Sequence, residues 1–76
     1  MVAGIRRTMS ELRNRIRRLR FDYNEMTQQE LAEQAGVTRQ TIIALEANRY
    51  VPSLLLAYRI SQVFRITIEE VFQFEE

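Results

Sequence analysis

Residues 27–42 read TQQELAEQAGVTRQTI and place a single glycine between two segments that both have helical character. Gly36 is one of only two glycines in the chain. Glycine adopts the left-handed backbone conformation at little cost, and a left-handed residue commonly ends a helix. Thr38 follows closely and is a preferred N-cap, the residue that immediately precedes a helix. The stretch therefore predicts two helices joined by a very short turn.

The residues around this turn have the sizes that two closely crossing helices require. Ala32 is small enough to lie at the crossing, and Val37 can fold back on it from beyond the glycine. The positions that point to the junction are Leu31, Ala32, Ala35, Gly36, Val37, Ile42 and Leu45. Their spacing predicts a helix-turn-helix motif. The alternative is a helical bundle that merely turns sharply at this point.

Capping signals mark the starts of the other downstream helices. Thr27 and Thr67 each precede a glutamate by three residues, which is the spacing of a capping box. Ser53 follows a proline and starts the apolar segment LLLAYRISQVF. Most apolar residues of the C-terminal third, Tyr58 among them, are expected in the core. No segment shows the alternation typical of a strand.

A further amphipathic helix is predicted upstream, because Leu12, Ile16 and Leu19 fall on one helical face. The stripe continues towards Met9, so this helix can begin early. Residues 1–8 are expected to form a basic arm, and residues 9–76 a single domain. With the four downstream helices, this makes five, and the predicted fold class is all-α.

Composition excludes several classes of protein. The 76 residues include no cysteine and no histidine, so disulfides, Cys-based metal sites and the commonest general base are absent. There is no cofactor motif, and no enzyme activity is expected. The longest uncharged stretch, residues 50–58, is far shorter than the ~20 residues that span a bilayer. The N-terminus lacks the apolar run of a secretory signal. We therefore expect a cytoplasmic protein with no membrane partner.

Charge is distributed unevenly along the chain. The net charge is +1, but residues 1–20 carry +6 and residues 21–76 carry −5. A basic end followed by an acidic body indicates contact with a polyanion on one side only. All eleven basic residues are arginines, whose guanidinium groups suit phosphate and guanine. Genomic base composition is an equally simple reason for the choice of arginine.

From about Asn14 to Phe72 the chain resembles the Cro/lambda-repressor-like (Xre) family of small prokaryotic transcriptional regulators, in its minimal single-domain form. The resemblance is carried by residues 26–72, MTQQELAEQAGVTRQTIIALEANRYVPSLLLAYRISQVFRITIEEVF. The resemblance implies a five-helix domain, usually dimeric, whose third helix enters the DNA major groove. The chain departs from the family pattern at Asn48 and Arg65, where a helix-ending glycine is usual. Its loop at residues 21–25 is also about one residue longer than usual.

The third helix, residues 38–47, has a face suited to reading bases. On a helical wheel Ile42 and Leu45 point inward, whereas Gln40, Ile43, Ala44 and Ala47 point outward and Arg39 lies at the edge. The candidate base-reading residues are Arg39, Gln40, Thr41, Ile43 and Ala44. Arginine can pair with guanine, glutamine with adenine, and an apolar side chain with the thymine methyl group. The alternatives are an ordinary solvated face or a protein-binding face.

Phosphate contacts are expected around this helix. The candidates are Gln28, Gln29, Thr38, Asn48, Arg49, Arg17 and Arg18. Gln28 and Gln29 begin the second helix, where free backbone N–H groups favour an anion, and the family resemblance assigns the contact to Gln28. Asn48 and Arg49 follow the third helix. A solvated helix face is an equally good interpretation of Arg17 and Arg18.

Two further pairs of residues are assigned to structure and assembly. Arg20 and Glu46 match family positions that often form a buried ion pair. Phe72 and Phe74 exceed what a small core needs and are candidates for a dimer interface. Packing within the monomer is the alternative, more so for Phe72 than for Phe74.

The function expected from these residues is sequence-specific binding of double-stranded DNA by a homodimer that regulates transcription. The alternative is an antitoxin-type protein-interaction module of the same fold, in which DNA binding is secondary. The sequence offers no ligand domain or inducer pocket, so no small-molecule effector is expected.

Overall fold

A computed structural model describes residues 12–74 and contains, within that range, five helices and two short strands. The elements are β1 (Leu12–Asn14), α1 (Ile16–Asp22), α2 (Gln28–Ala35), α3 (Arg39–Glu46), α4 (Leu54–Phe64), α5 (Ile68–Val71) and β2 (Phe72–Phe74). The predicted number of helices is confirmed, and the domain is mainly α-helical.

The predicted all-α fold class is right for the five helices but incomplete, because two short strands are also present among residues 12–74. Leu12 was expected in the first helix but lies in β1, which pairs antiparallel with β2. Leu12 is opposite Phe74 in this ribbon, and Asn14 is opposite Phe72. The ribbon joins the two ends of the described range, residues 12–74, and the Arg15 N–H continues the contact by donating to Val71 O at 2.9 Å. The predicted arm, residues 1–8, and Met9 lie outside the described residues.

Each helix contributes at least one large aliphatic side chain that is completely buried in the core. These residues are Ile16, Leu31, Ile42, Ile60 and Val71, each 0% exposed. Full burial of such a side chain stabilises the fold by about 1.5–3 kcal/mol, so this layer contributes much of the stability of a small domain. Tyr58 was expected in the core but is 52% exposed, because it lies on the outer side of α4.

Local side-chain caps explain why four of the helices begin where they do. The Thr27 and Thr67 hydroxyls each accept from the backbone N–H three residues later, and the glutamate at that position bonds back, so both predicted capping boxes are confirmed. Thr38 and Ser53 cap α3 and α4 in the same way, without the reciprocal bond. These caps satisfy N–H groups that a helix leaves without internal partners.

Three helices end in a left-handed residue, as the sequence predicts for Gly36. The φ angles are 77° at Gly36, 60° at Asn48 and 59° at Arg65. The residue after each one donates its N–H to a carbonyl five positions back, with distances of 2.9–3.0 Å. This is the Schellman arrangement of a helix C-terminus. Asn48 and Arg65 therefore keep the family's backbone shape without its usual glycine.

The left-handed position of Arg65 gives a stability prediction. Replacing Arg65 with glycine should raise the free energy of unfolding by about 1 kcal/mol, since an L-side chain is strained in this conformation. The reverse change, Gly36→Ala, should lower it by a similar amount. A Cβ at Gly36 would meet Arg59 Nη1 only at 3.4 Å, so conformation rather than crowding sets its cost. Urea denaturation followed by circular dichroism measures both, and an unchanged or lowered stability of Arg65→Gly would contradict the strain argument.

Candidate nucleic-acid interface

The turn between α2 and α3 fixes the geometry of the candidate site. Only residues 36–38 separate the two helices. Val37 donates its N–H to Ala32 O at 3.0 Å, and the Thr38 hydroxyl accepts from the Thr41 N–H at 3.3 Å. Ala32 and Ala35 are almost completely buried at the crossing, where larger side chains would separate the helices. The helix-turn-helix predicted from the sequence is therefore present.

Helix α3 has one buried face and one exposed face, as the helical wheel predicts. Ile42 and Leu45 are buried, while Gln40 and Ala47 are exposed. Arg39 is also exposed, in the first turn of the helix. Of the remaining candidate base-reading residues, Ile43 is exposed, and Thr41 and Ala44 are half-buried. The outer face thus carries two long polar side chains at its N-terminal end and small residues towards its C-terminal end.

An ion pair ties α1 to the end of α3. Arg20 Nε lies 2.7 Å from Glu46 Oε2, and Arg20 Nη2 lies 3.0 Å from Glu46 Oε1. Arg20 Nη1 also donates to Met26 O at 2.9 Å. The two charged side chains are only 15% and 10% exposed. The predicted ion pair is therefore present, and it is bidentate, which adds both strength and a fixed orientation.

The start of α2 is connected to this ion pair. Gln28 Nε2 donates to Glu46 Oε1 at 3.2 Å, so the carboxylate orients an amide of the candidate phosphate site. Gln29 is exposed and donates to Glu33 within the same helix at 3.0 Å. The first N–H groups of a helix have no internal acceptor, and this end of α2 can offer them to an anion.

Asn14 is a residue of the site that the sequence analysis missed. It is the last residue of β1, yet its side chain reaches the C-terminal end of α3. Its Nδ2 donates to Leu45 O at 2.8 Å and to Asn48 Oδ1 at 3.3 Å, while its Oδ1 accepts from the Ile16 N–H at 3.1 Å. The last bond spans only two residues, but the predicted first helix already included Leu12 and so placed Asn14 inside a helix and not before one. The first two join positions more than thirty residues apart, and no local pattern indicates them.

The remaining candidate phosphate ligands lie on exposed positions. Thr38, Asn48 and Arg49 are exposed near the two ends of α3. Arg17 is exposed on α1, and Arg18 forms an exposed ion pair with Asp22 at 3.1 Å. Such surface pairs contribute little to stability, and the aspartate partly offsets the charge that Arg18 would offer a polyanion.

The two candidate dimer residues differ in exposure. Phe72 is half-buried and packs against the core, whereas Phe74 is 58% exposed at the end of β2. A second group of exposed apolar side chains lies on α4 and was not identified from the sequence: Leu54, Leu55 and Tyr58. Among residues 12–74, no three potential metal-ligating side chains come together, and none of the helices there is long and apolar enough to cross a membrane.

These features define a class of protein. A core of five short helices holds a helix-turn-helix, and the second helix of that motif leaves Arg39 and Gln40 exposed. The chain belongs to the helix-turn-helix family of the Xre type, whose family model matches residues 24–71. The resemblance to Cro/lambda-repressor-like regulators is thereby confirmed.

Relatives in archaea and bacteria support this membership. A protein of Archaeoglobus fulgidus is 51% identical over 65 residues, covering 86% of this chain and 90% of its own length. A Bacillus subtilis protein is 45% identical over 65 residues, covering 86% of this chain and 97% of its own length. Both are named as uncharacterized HTH-type transcriptional regulators. A solved Bacteroides fragilis structure shares the fold, with a TM-score of 0.69 at 24% identity, over 82% of this chain and 98% of that one.

Proposed function

We propose that the protein is a sequence-specific DNA-binding regulator of transcription that inserts α3 into the major groove. The observation that carries this proposal is the outer face of α3, with Arg39 and Gln40 exposed in its first turn, the small Ala44 half-buried further along, and Ala47 exposed just after the helix. A helix with its side chains is about 10–12 Å across and the major groove about 12 Å wide, so small residues favour close approach.

The surroundings of α3 support the same proposal. The start of α2 lies before the reading helix, and Asn48 and Arg49 lie after it, so phosphate contacts are available on both sides. Phosphate contacts set the position of a protein on the duplex, whereas base contacts determine sequence preference. We assign the former role to Gln28, Gln29, Thr38, Asn48 and Arg49, and leave Arg17 and Arg18 to long-range attraction. The relatives named as HTH-type transcriptional regulators support the proposed function.

The regulator is proposed to act as a homodimer on a roughly twofold site. Two reading helices would then enter successive turns of the major groove, ~34 Å apart. The exposed Phe74 is suited to an apolar contact between protomers, and the half-buried Phe72, on the same face of β2, can support that contact. Such a protein would work in the cytoplasm, at the nucleoid, and without a small-molecule effector.

A second candidate function has one observation in its favour. The exposed apolar side chains Leu54, Leu55 and Tyr58 suit a protein partner, as an antitoxin-type module of the same fold would require. DNA binding would then be secondary. A toxin gene beside the gene for this protein, together with a stable complex of the two products, would favour this alternative.

Salt dependence tests the proposed function. Each arginine that neutralises a phosphate gives a log–log slope of affinity against salt of about −0.9. Phosphate contact by Arg49 in each protomer gives a dimer a slope of about −2, and the attraction of Arg17 and Arg18 to the DNA backbone should add to its magnitude. Fluorescence anisotropy titrations of a DNA duplex at several salt concentrations measure it.

The variant that tests this slope is Arg49→Ala, and Arg65→Gly is its matched control. Loss of Arg49 should reduce the magnitude of the slope by about 2 in a dimer, because two phosphate contacts disappear. Arg65 ends α4, outside the helix-turn-helix, and its loss should leave the slope unchanged. An affinity that does not vary with salt would contradict DNA binding itself.

A further inference from the structure

The cap at the end of α3 fixes the backbone of Asn48. The Asn48 N–H donates to Leu45 O at 3.0 Å, and the Arg49 N–H donates to Ala44 O at 2.9 Å. Because φ is held at 60°, the direction in which the Asn48 side chain leaves the backbone is fixed, and this side chain is exposed. The backbone alone does not determine which end of the amide faces the solvent, because that depends on rotation of the side chain.

Asn14 supplies the missing constraint. Its Nδ2 carries two hydrogens, and the two acceptors within reach are Leu45 O at 2.8 Å and Asn48 Oδ1 at 3.3 Å. Its Oδ1 is held in place by the Ile16 N–H at 3.1 Å. Strand β1 is itself anchored to β2, so the donor belongs to a fixed part of the fold.

The bond to Asn14 has a consequence for the outer end of the Asn48 amide. When Oδ1 of Asn48 accepts from Asn14, the Nδ2 group is the end that turns away from the protein. An amide NH₂ group donates to a phosphate oxygen, whereas an amide oxygen facing the phosphate would be repelled. The bond thus selects the orientation that is useful at the DNA backbone.

We propose that Asn14 is a positioning residue that orients the Asn48 side chain so that its Nδ2 donates to a DNA phosphate at the end of α3. This inference rests on the proposed DNA-binding function. Asn14 itself does not contact DNA in this arrangement, since its donors are used inside the protein.

A double-mutant cycle of Asn14→Ala and Asn48→Gly tests the inference. Glycine at position 48 keeps the left-handed cap and removes only the amide. Affinity for a mixed-sequence DNA duplex is measured by fluorescence anisotropy at low salt, because a phosphate contact does not depend on sequence. Circular dichroism at the same temperature establishes that each variant is folded.

Each single variant should bind DNA about tenfold to a hundredfold more weakly than the wild type, because a homodimer loses one hydrogen bond in each protomer and each is worth about threefold to tenfold. The double variant should bind no more weakly than Asn48→Gly alone, because Asn14 acts through the amide that is already absent. A purely structural role of Asn14 would instead lower the affinity by the same factor in both backgrounds, and that result would overturn the inference. So would an unchanged affinity of Asn14→Ala.

DNA binding by the wild-type protein distinguishes a failure of this inference from a failure of the proposed function. If wild-type protein binds the duplex with the expected salt dependence but the two substitutions act independently, only the role of Asn14 is wrong. If wild-type protein does not bind DNA at all, the proposed function fails, and the inference fails with it.

Discussion

Replacing Glu46 with alanine should lower the free energy of unfolding by about 3 kcal/mol, because a largely buried guanidinium would lose its partner. The Arg20 side chain is only 15% exposed, and two of its nitrogens lie 2.7 and 3.0 Å from the carboxylate oxygens. After the substitution only its bond to Met26 O would remain. Urea denaturation followed by circular dichroism gives the change in stability directly.

Arg18→Ala is the matched control for this experiment. It also removes one partner of an ion pair, but the Arg18 and Asp22 side chains are 73% and 51% exposed. Pairs exposed to this degree contribute about 0–1 kcal/mol, so the control should be nearly neutral. If Glu46→Ala costs no more than Arg18→Ala, the ion pair between α1 and α3 does not stabilise the fold.

A double replacement separates the contribution of the ion pair to the free energy of unfolding from the destabilisation caused by an unpaired buried charge. Arg20→Met combined with Glu46→Leu removes both charges and leaves apolar side chains of similar volume. Its stability should recover most of what Glu46→Ala loses, because no buried charge is left without a partner. The double variant should still bind DNA more weakly than the wild type, since Gln28 Nε2 loses its acceptor on Glu46 and its orientation is released.

The features predicted correctly from the sequence are those whose physical cause is local. The caps at Thr27 and Thr67 depend on a residue only three positions away, so the sequence contains both partners of each bond side by side. The turn at Gly36 likewise depends on the backbone freedom of a single residue. The family resemblance added the pairing of Arg20 with Glu46, which no local pattern indicates.

Leu12 shows why the strand could not be predicted. Its spacing from Ile16 and Leu19 fits a helix, and a three-residue strand is too short to display alternation. What decides its conformation is pairing with Phe74, which lies at the other end of the described chain. The same reason applies to Asn14, whose acceptors are on α3. The periodic spacing of apolar residues along a segment does not indicate bonds between residues far apart in the sequence.

Helix α4 shows a different limit. Its sequence, LLLAYRISQVF, is apolar around most of its circumference, so periodicity does not distinguish the buried face. In the structure Leu56 is buried, whereas Leu54 and Leu55 are mostly exposed. Tyr58 lies with the exposed group. The positions of α5 and of the other helices determine which face of α4 is buried. The sequence of α4 alone does not contain this information.

Replacing Arg39 or Gln40 with alanine should cost about 1–3 kcal/mol of binding free energy on the preferred DNA site and relax the preference at one base step. Both side chains are exposed in the first turn of α3, where their forked donors can reach base edges in the groove. On a scrambled site neither makes such a pair, so the loss there should be small.

Gln28→Ala and Arg49→Ala are the controls, because contacts to phosphate contain no sequence information. Both should weaken binding to the preferred and scrambled sites by the same factor. The preferred site is first obtained by selecting genomic fragments with purified protein, and each variant is then titrated against both duplexes at fixed salt. The decisive quantity is the ratio of the two affinities. If Arg39→Ala and Gln40→Ala leave this ratio at its wild-type value, then α3 does not read the sequence, and another surface must determine which DNA is bound.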